Sequence, residues 1–343
     1  MALEFCWNII ILKRRKKRSS NNNGKSVGLQ GMITPIEKYP ELAKAIGLSD
    51  LYFKREDLNP YGSHKGRSIP VMIDQYVAKG SKEFVISSSG NAALAAALHV
   101  KKLNNNIDYV RLGERFSPIP LVGLRGEATP PKRADQLYLN ILVGHHIAPH
   151  KLEKLKARED ENIRVLIKER PKQALMVASQ EGATSLRQST DDTALLGYEA
   201  LAQELGLTKG IGAIFIGTSS GTTAQALATY LKSVQVHIVQ TSGCHPIANG
   251  LETYDGEEEE SVADAIVDRT AMRKAKLIPL IRKTGGNAWV ATNDEIMAAQ
   301  DIVKKNTGLD ISTNSALSVV GAMQAVYRGW EIDGAVVCMI CGE

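Results

Sequence analysis

Three short segments of the sequence hold groups that could act together on one small molecule. Lys65 lies in NPYGSHKGR, and a lysine amine can form a Schiff base if its surroundings lower its pKa. SSSGN, residues 87–91, supplies hydroxyl groups, backbone N–H groups and an amide side chain, which together suit a carboxylate. GTSSGTT, residues 217–223, supplies N–H groups and hydroxyls at the start of a helix, where phosphate binds readily.

A phosphate site, a carboxylate site and a Schiff-base lysine together indicate one cofactor class. Pyridoxal 5′-phosphate (PLP) has a phosphate and an aldehyde that condenses with lysine, and its amino-acid substrates bring a carboxylate. Taken singly, each segment also has an ordinary structural interpretation as a helix cap, a turn or an exposed lysine. The prediction of a PLP site therefore depends on all three segments and on their order.

Strands that alternate with helices are expected to position these segments. SIPVMIDQYVAKG predicts a helix after Lys65, and EFVISSSG predicts a strand that leads into residues 87–91. GAIFIGTSSGTTAQALATYLKS predicts a strand, a turn and a helix. This alternation predicts an α/β fold with mostly parallel sheets covered by helices on both faces. In such sheets ligands bind outside the carboxyl ends of the strands.

From Thr34 onward, apart from one inserted segment, the chain resembles the fold type II PLP enzymes. These include threonine synthase, serine/threonine dehydratases, cysteine synthase and the tryptophan synthase β-subunit. TPIEKYPELAKAIGLSDLYFKREDLNPYGSHKGR is similar to the opening of that family, which implies that Lys65 is the Schiff-base lysine. SSGN is similar to its substrate-carboxylate loop. The resemblance implies that Ser88, Ser89 and Gly90 bind the substrate and that Asn91 hydrogen-bonds the ring oxygen of the cofactor.

The resemblance extends to the later part of the chain. GTSSGTT is similar to the phosphate turn of the family, although Ser219 and Ser220 stand where relatives often have glycine. SALSVVGAM resembles a late helix, and CMICGE resembles the segment that presents a hydroxyl to the pyridine nitrogen. Cys341 stands there instead, and a thiol is a weaker donor. The residues expected to bind PLP are Lys65, Asn91, Gly217, Thr218, Ser219, Ser220, Gly221, Thr222 and Cys341.

The length of 343 residues predicts two domains that share a cleft. We expect residues 31–80 and 190–343 to form a larger PLP-binding domain and residues 81–189 to form a smaller α/β domain. Residues 104–140 contain four prolines and little periodicity, which predicts an insertion. The composition of residues 1–30 predicts a disordered basic extension.

The net charge of +5 does not indicate a nucleic-acid partner. KRRKKR in the extension supplies six positive charges, so the rest of the chain carries a formal charge of −1. LEFCWNIIIL is too short to cross a bilayer, so no membrane partner is expected and the cytoplasm is the predicted location. Cys338 with Cys341 is interpreted as buried strand residues and the histidines of GHHIAPH as a polar loop, so no metal site is predicted.

The resemblance implies a PLP-dependent lyase that abstracts the Cα proton of an amino acid, with Lys65 as the base, and then eliminates or replaces a β or γ substituent. Threonine synthase is the most similar type. A serine/threonine ammonia-lyase and a β-replacement synthase of the cysteine synthase or tryptophan synthase β type remain open. A ligand-binding relative without catalysis is the alternative from another class. The family also implies a homodimer.

Overall fold

Ten strands in the described residues form two sheets. The computed structural model describes residues 33–107 and 135–342. The strands are β1 (Ile36–Lys38), β2 (Leu51–Arg55), β3 (Glu83–Ser87), β4 (Tyr138–Val143), β5 (Ile163–Ile167), β6 (Thr184–Ser185), β7 (Ile211–Gly217), β8 (Gln235–Thr241), β9 (Ala288–Ala291) and β10 (Ala335–Ile340). The larger sheet has the order β1-β2-β10-β7-β8-β9, and the smaller has the order β5-β4-β3-β6. Every neighbouring pair is parallel except β1 with β2.

Helices connect the strands and cover the sheets. Those in the described residues are α1 (Pro40–Ile46), α2 (Lys65–Ala78), α3 (Asn91–Ile107), α4 (Pro149–Lys156), α5 (Pro171–Gln180), α6 (Thr193–Leu196), α7 (Glu199–Leu207), α8 (Thr222–Tyr230), α9 (Lys274–Lys283), α10 (Asn293–Thr307) and α11 (Thr313–Tyr327). The predicted α/β class with mostly parallel sheets is confirmed. The predicted helices after Lys65 and after the two turns are α2, α3 and α8.

The larger sheet is buried on both faces. Its strand β7 reads IGAIFIG, and six of these seven residues are buried. Phe215 packs in a cluster with residues of α1, α10 and α11, whereas Ile214 and Ile216 pack with residues of α7, α8 and α9. A strand that is covered on both sides has no solvent face, which explains why the sequence shows a continuous apolar run here.

The strands of the larger sheet come from residues 36–55 and 211–340, and those of the smaller sheet come from residues 83–185. The described residues from Ile33 onward pack as one compact unit. The division into two domains therefore stays a prediction.

The predicted insertion overlaps regular structure at both ends, because α3 continues to Ile107 and β4 begins at Tyr138. Its middle, residues 108–134, and the predicted extension at residues 1–30 lie outside the described residues. Among the helices that the structure describes, none combines the length and apolar character needed to cross a membrane.

Candidate active site

All the residues predicted to form the site line one cavity of ≈ 410 Å³. The cavity lies at the carboxyl ends of β3, β7 and β10, because parallel strands bring the turns that follow them to the same edge. The predicted residues in its wall are Lys65, Ser88, Ser89, Gly90, Asn91, Gly217, Thr218, Ser219, Ser220, Gly221, Thr222 and Cys341. The structure brings these residues together, and their individual roles stay predictions.

Lys65 begins α2 and lies half-buried in the cavity wall. Burial lowers the pKa of its amine to about 8, and the positive charge of Arg273 adds to this effect. A lower pKa leaves more of the amine neutral near neutral pH, and the neutral amine is the form that attacks a carbonyl carbon. The lowered pKa of Lys65 therefore favours Schiff-base chemistry.

Close packing explains the small residue that follows Lys65. A Cβ atom on Gly66 would lie 2.3 Å from Asn59 Oδ1 and 2.6 Å from Tyr61 Cβ, so the preceding loop occupies that space. Asn59 Oδ1 also accepts a hydrogen bond from the backbone N–H of Tyr61 at 3.0 Å. The loop from Asn59 to Tyr61 is thus folded back onto the first turn of α2.

A buried group of four charged side chains fixes the first turn of α2. The Arg67 guanidinium lies 2.8 Å from Glu56 Oε1 and 2.5 Å from Glu204 Oε1. Lys54 Nζ lies 2.5 Å from Glu204 Oε2. Two cations face two carboxylates, so the group is neutral overall and the loss of one member would leave a buried charge uncompensated. Arg67 lies two residues after Lys65. Its ion pairs therefore attach the first turn of α2 to Glu56, which directly follows β2, and to Glu204 of α7.

Cys341 and Gly342 follow β10 and are held against the loop before α2. The Cys341 carbonyl accepts a hydrogen bond from the backbone N–H of His64 at 3.3 Å, and His64 Nδ1 lies 3.2 Å from the same oxygen. Because a carbonyl only accepts, Nδ1 carries the proton. Burial lowers the pKa of His64 to about 3, which keeps its ring neutral. Burial raises the pKa of the Cys341 thiol, so this group stays protonated and can act as a weak donor.

The turn at Gly217–Thr223 joins β7 to α8, and both of its serine side chains have partners in the protein. Ser220 Oγ lies 3.0 Å from Thr222 Oγ1. Ser219 Oγ accepts hydrogen bonds from the backbone N–H groups of Val267 at 3.1 Å and Asp268 at 3.2 Å. That hydroxyl therefore holds the 267–268 segment against the turn. Gly221 precedes α8 with φ +83°, a left-handed conformation that favours glycine. The N–H groups at the start of α8 remain the feature that suits a phosphate.

The SSSGN segment joins β3 to α3 and forms another wall of the cavity. The backbone N–H of Gly90 donates to Ser88 Oγ at 3.3 Å, which curls the segment before the helix begins at Asn91. The space beside Gly90 is open, since a Cβ atom there would meet nothing within 4 Å. A small ligand can therefore approach the backbone of this segment closely.

Charged residues that were not predicted line the same cavity. Lys151, Lys172 and Arg187 contribute cations, and Asp264 and Asp268 contribute carboxylates. Lys151 Nζ and Asp264 Oδ2 are 2.5 Å apart. This ion pair links α4 to the segment that leads to Val267 and Asp268. These side chains lie far apart in the sequence and belong to no local motif, so only the fold could identify them.

A family model described as "Pyridoxal-phosphate dependent enzyme" matches residues 28–107 and 132–342. A threonine synthase from Methanosarcina acetivorans is 26% identical over 324 residues, which cover 90% of this chain and 74% of that protein. An L-serine dehydratase/L-threonine deaminase from Bos taurus is 38% identical over 72 residues, which cover 21% of this chain and 22% of that protein.

Solved structures share the fold. A pyridoxal 5′-phosphate-dependent aspartate racemase superimposes with a TM-score of 0.70 at 20% identity, covering 91% of this chain and 90% of that chain. The processed form of threonine deaminase isoform 2 from Solanum lycopersicum superimposes with a TM-score of 0.68 at 18% identity, covering 91% of this chain and 84% of that chain. The predicted type II architecture of PLP enzymes is thereby confirmed.

Proposed function

The chain belongs to the family of pyridoxal-phosphate dependent enzymes, and on this basis we propose that it is a lyase of the threonine synthase type. It removes the Cα proton of an amino acid and then eliminates or replaces a γ or β substituent. One observation carries the proposal. Lys65, with its pKa lowered to about 8, lines the same cavity as Ser88–Asn91 and the Gly217–Thr223 turn.

The residues around the cavity fit PLP. Its volume of ≈ 410 Å³ is in the range typical of small-molecule sites. Lys65 would hold the aldehyde carbon, the Gly217–Thr223 turn at the start of α8 would hold the phosphate, and Asn91 would hold the ring oxygen. Cys341 would face the pyridine nitrogen as a neutral thiol. When bound, the cofactor supplies the electron sink that stabilises a carbanion at Cα.

Lys65 has two tasks in this proposal. Its Nζ would hold the cofactor aldehyde in the resting enzyme, and its free, neutral amine would accept the proton from the substrate Cα. Burial favours both tasks because the amine must be neutral to attack carbon and to accept a proton. Ser88, Ser89 and the N–H groups that follow them orient the substrate carboxylate.

The cations in the wall support a substrate with an anionic side chain. Lys151, Lys172 and Arg187 line the cavity together with the carboxylates of Asp264 and Asp268, so the wall carries an excess of one positive charge before Lys65 is counted. A phosphate ester such as O-phosphohomoserine, the threonine synthase substrate, would be attracted to these cations. Serine and threonine have neutral side chains and would gain nothing from them. The charge of the cavity therefore favours the threonine synthase type.

We expect Lys65→Ala to abolish covalent attachment of PLP and to lower turnover by about a thousandfold or more. Borohydride reduction of the wild-type protein, followed by peptide mass spectrometry, should find the cofactor on Lys65. Lys79→Ala removes an exposed lysine just beyond the same helix and should change neither result. Full turnover by Lys65→Ala, or reduced cofactor on another lysine, would overturn the proposal.

A serine/threonine ammonia-lyase is the second candidate, which the local likeness to the bovine dehydratase favours. Products separate the two reactions. A threonine synthase releases phosphate from O-phospho-L-homoserine, whereas an ammonia-lyase releases ammonia from L-serine or L-threonine. A β-replacement synthase would act on O-acetyl-L-serine. Purified protein that holds no borohydride-fixed cofactor would instead support a binding protein without catalysis.

A further inference from the structure

Arg273 lies behind the 217–223 turn and is only 2% exposed. All its N–H groups have oxygen partners. Nε donates to the Gln188 carbonyl at 3.1 Å and to Thr222 Oγ1 at 3.2 Å. Nη1 lies 2.8 Å from Asp192 Oδ1 and 2.9 Å from Gln225 Oε1, and Nη2 lies 2.5 Å from the Gln188 carbonyl and 2.7 Å from the Asp191 carbonyl.

These contacts join two parts of the cavity wall. Gln188 lines the cavity from the segment after β6, and Thr222 lines it as the first residue of α8. The guanidinium is planar and always charged, so it fixes both the spacing and the orientation of the groups around it. Arg273 therefore sets the position of the start of α8 relative to the residue 188–192 segment.

The charges around Arg273 do not balance. Asp192 is its charged partner in the described part of the chain, and the same carboxylate lies 2.7 Å from Lys276 Nζ. Two cations thus share one carboxylate, whose side chain is 55% exposed and screened by water. The start of α8 adds about half a positive charge through its free N–H groups. The result is an excess of positive charge behind the turn.

We propose that Arg273 sets the anion affinity of the 217–223 turn from behind, as a positioning residue that never touches the ligand. The ligand class is a phosphate monoester dianion, and this inference rests on the proposed role of the turn as the phosphate site. A bound dianion would balance the excess charge, and the fixed Thr222 would keep the N–H groups of the turn directed at the phosphate oxygens.

The ionisation of Lys65 gives an independent readout. After burial, the charge of Arg273 is a further cause that lowers the pKa of Lys65. Loss of that charge should therefore raise the pH at which the Lys65 amine of cofactor-free protein becomes reactive toward an amine reagent. A residue with only a structural role would not shift this pH profile in a defined direction.

The decisive measurement compares PLP with pyridoxal, which lacks the phosphate. Cofactor-free full-length protein is titrated with each compound, and the ratio of the two dissociation constants measures the phosphate contribution. We expect Arg273→Gln to lower the preference for PLP about tenfold, while Arg273→Lys, which keeps the charge, retains most of it. Asp192→Asn removes the neutralising carboxylate and should raise the preference about threefold.

If the preference for PLP over pyridoxal falls in Arg273→Gln and rises in Asp192→Asn, the cause is charge and not a general disturbance of the fold. Lys276→Gln removes the other cation that shares Asp192 and should lower the preference by much less than Arg273→Gln, because the Lys276 side chain is 63% exposed and screened by water. Equal weakening of PLP and pyridoxal by both Arg273 variants, or a lower preference in Asp192→Asn, would overturn the inference and leave the proposed function intact. Wild-type protein that binds neither compound would overturn the proposed function itself. If Arg273→Gln does not fold, the Arg273→Lys and Asp192→Asn results still decide.

Discussion

The two glycines near Lys65 are required for different structural reasons. Gly66 is required by packing, because Asn59 and Tyr61 fill the space that a side chain would need. Gly62 has φ +77° and nothing within 4 Å of a Cβ position, so it is required by backbone conformation alone. The sequence motif therefore describes the shape of a loop that presents one amine. The chemistry itself resides in the buried amine of Lys65.

Gly66→Ala should be strongly destabilising, whereas Gly206→Ala should be tolerated. Both glycines lie inside helices, but a Cβ atom at Gly206 would meet only Leu231 Cδ2, at 3.7 Å. We expect Gly66→Ala to cost about 2 kcal/mol of unfolding free energy and to displace Lys65. Gly206→Ala should be neutral or stabilise by up to about 1 kcal/mol. Urea unfolding measures both, and an unchanged midpoint for Gly66→Ala would contradict the packing described for this loop.

At the scale of elements, the local sequence pattern predicted the two turns but not the residues that hydrogen-bond to them. The strand–turn–helix units around SSSGN and GTSSGTT were predictable because hydrophobic periodicity and small residues mark them within a few positions. The hydrogen bonds from Val267 and Asp268 to Ser219 span almost fifty residues and leave no local signal. Arg273 was missed for the same reason, since its partners lie in the distant 188–192 and 222–225 segments.

The ion pair between α4 and the segment at Asp264 should tune substrate affinity. Asp264 neutralises Lys151 at 2.5 Å, so Asp264→Asn would leave this cation free to attract an anionic substrate. We expect KM for O-phospho-L-homoserine to fall about threefold in Asp264→Asn and to rise by a similar factor in Lys151→Gln. The dissociation constant of an amino acid with an uncharged side chain, such as L-serine, is the control and should stay constant in both. A higher KM for the phosphorylated substrate in Asp264→Asn would show that the pair closes the cavity instead.

At the scale of the whole molecule, the excess of basic residues has no counterpart in the site. The six cations of KRRKKR lie outside the described residues, and the rest of the chain is nearly neutral. The cations that matter for the proposed reaction are local, at Lys65, Arg273 and the cavity wall. Net charge therefore predicts little about this protein.

We retain a homodimer and a cytoplasmic location as proposals, and light scattering of the purified protein tests the homodimer.

Two histidines, His237 in the core and the half-buried His64, should make the fold sensitive to mild acid. Burial lowers the pKa of both His64 and His237 from 6.5 to about 3. In the unfolded chain these rings take up protons as the pH falls below about 6.5, whereas in the folded chain they stay neutral. The unfolded state therefore binds more protons in this window, and stability falls as the pH drops from about 6.5 toward 3.

The His237 ring is buried in the core, where Nδ1 accepts hydrogen bonds from the Asn287 backbone at 3.1 Å and the Trp289 indole at 3.2 Å. A protonated Nδ1 could accept neither. We expect each histidine to cost about 2 kcal/mol of unfolding free energy between pH 6.5 and pH 5. His237→Phe should be less stable at pH 7.5 but lose less stability on acidification, while His146→Gln, at an exposed site, should keep the wild-type slope. Urea midpoints between pH 7.5 and 4.5 test this, and equal slopes for wild type and His237→Phe would show that His237 does not contribute to the acid sensitivity.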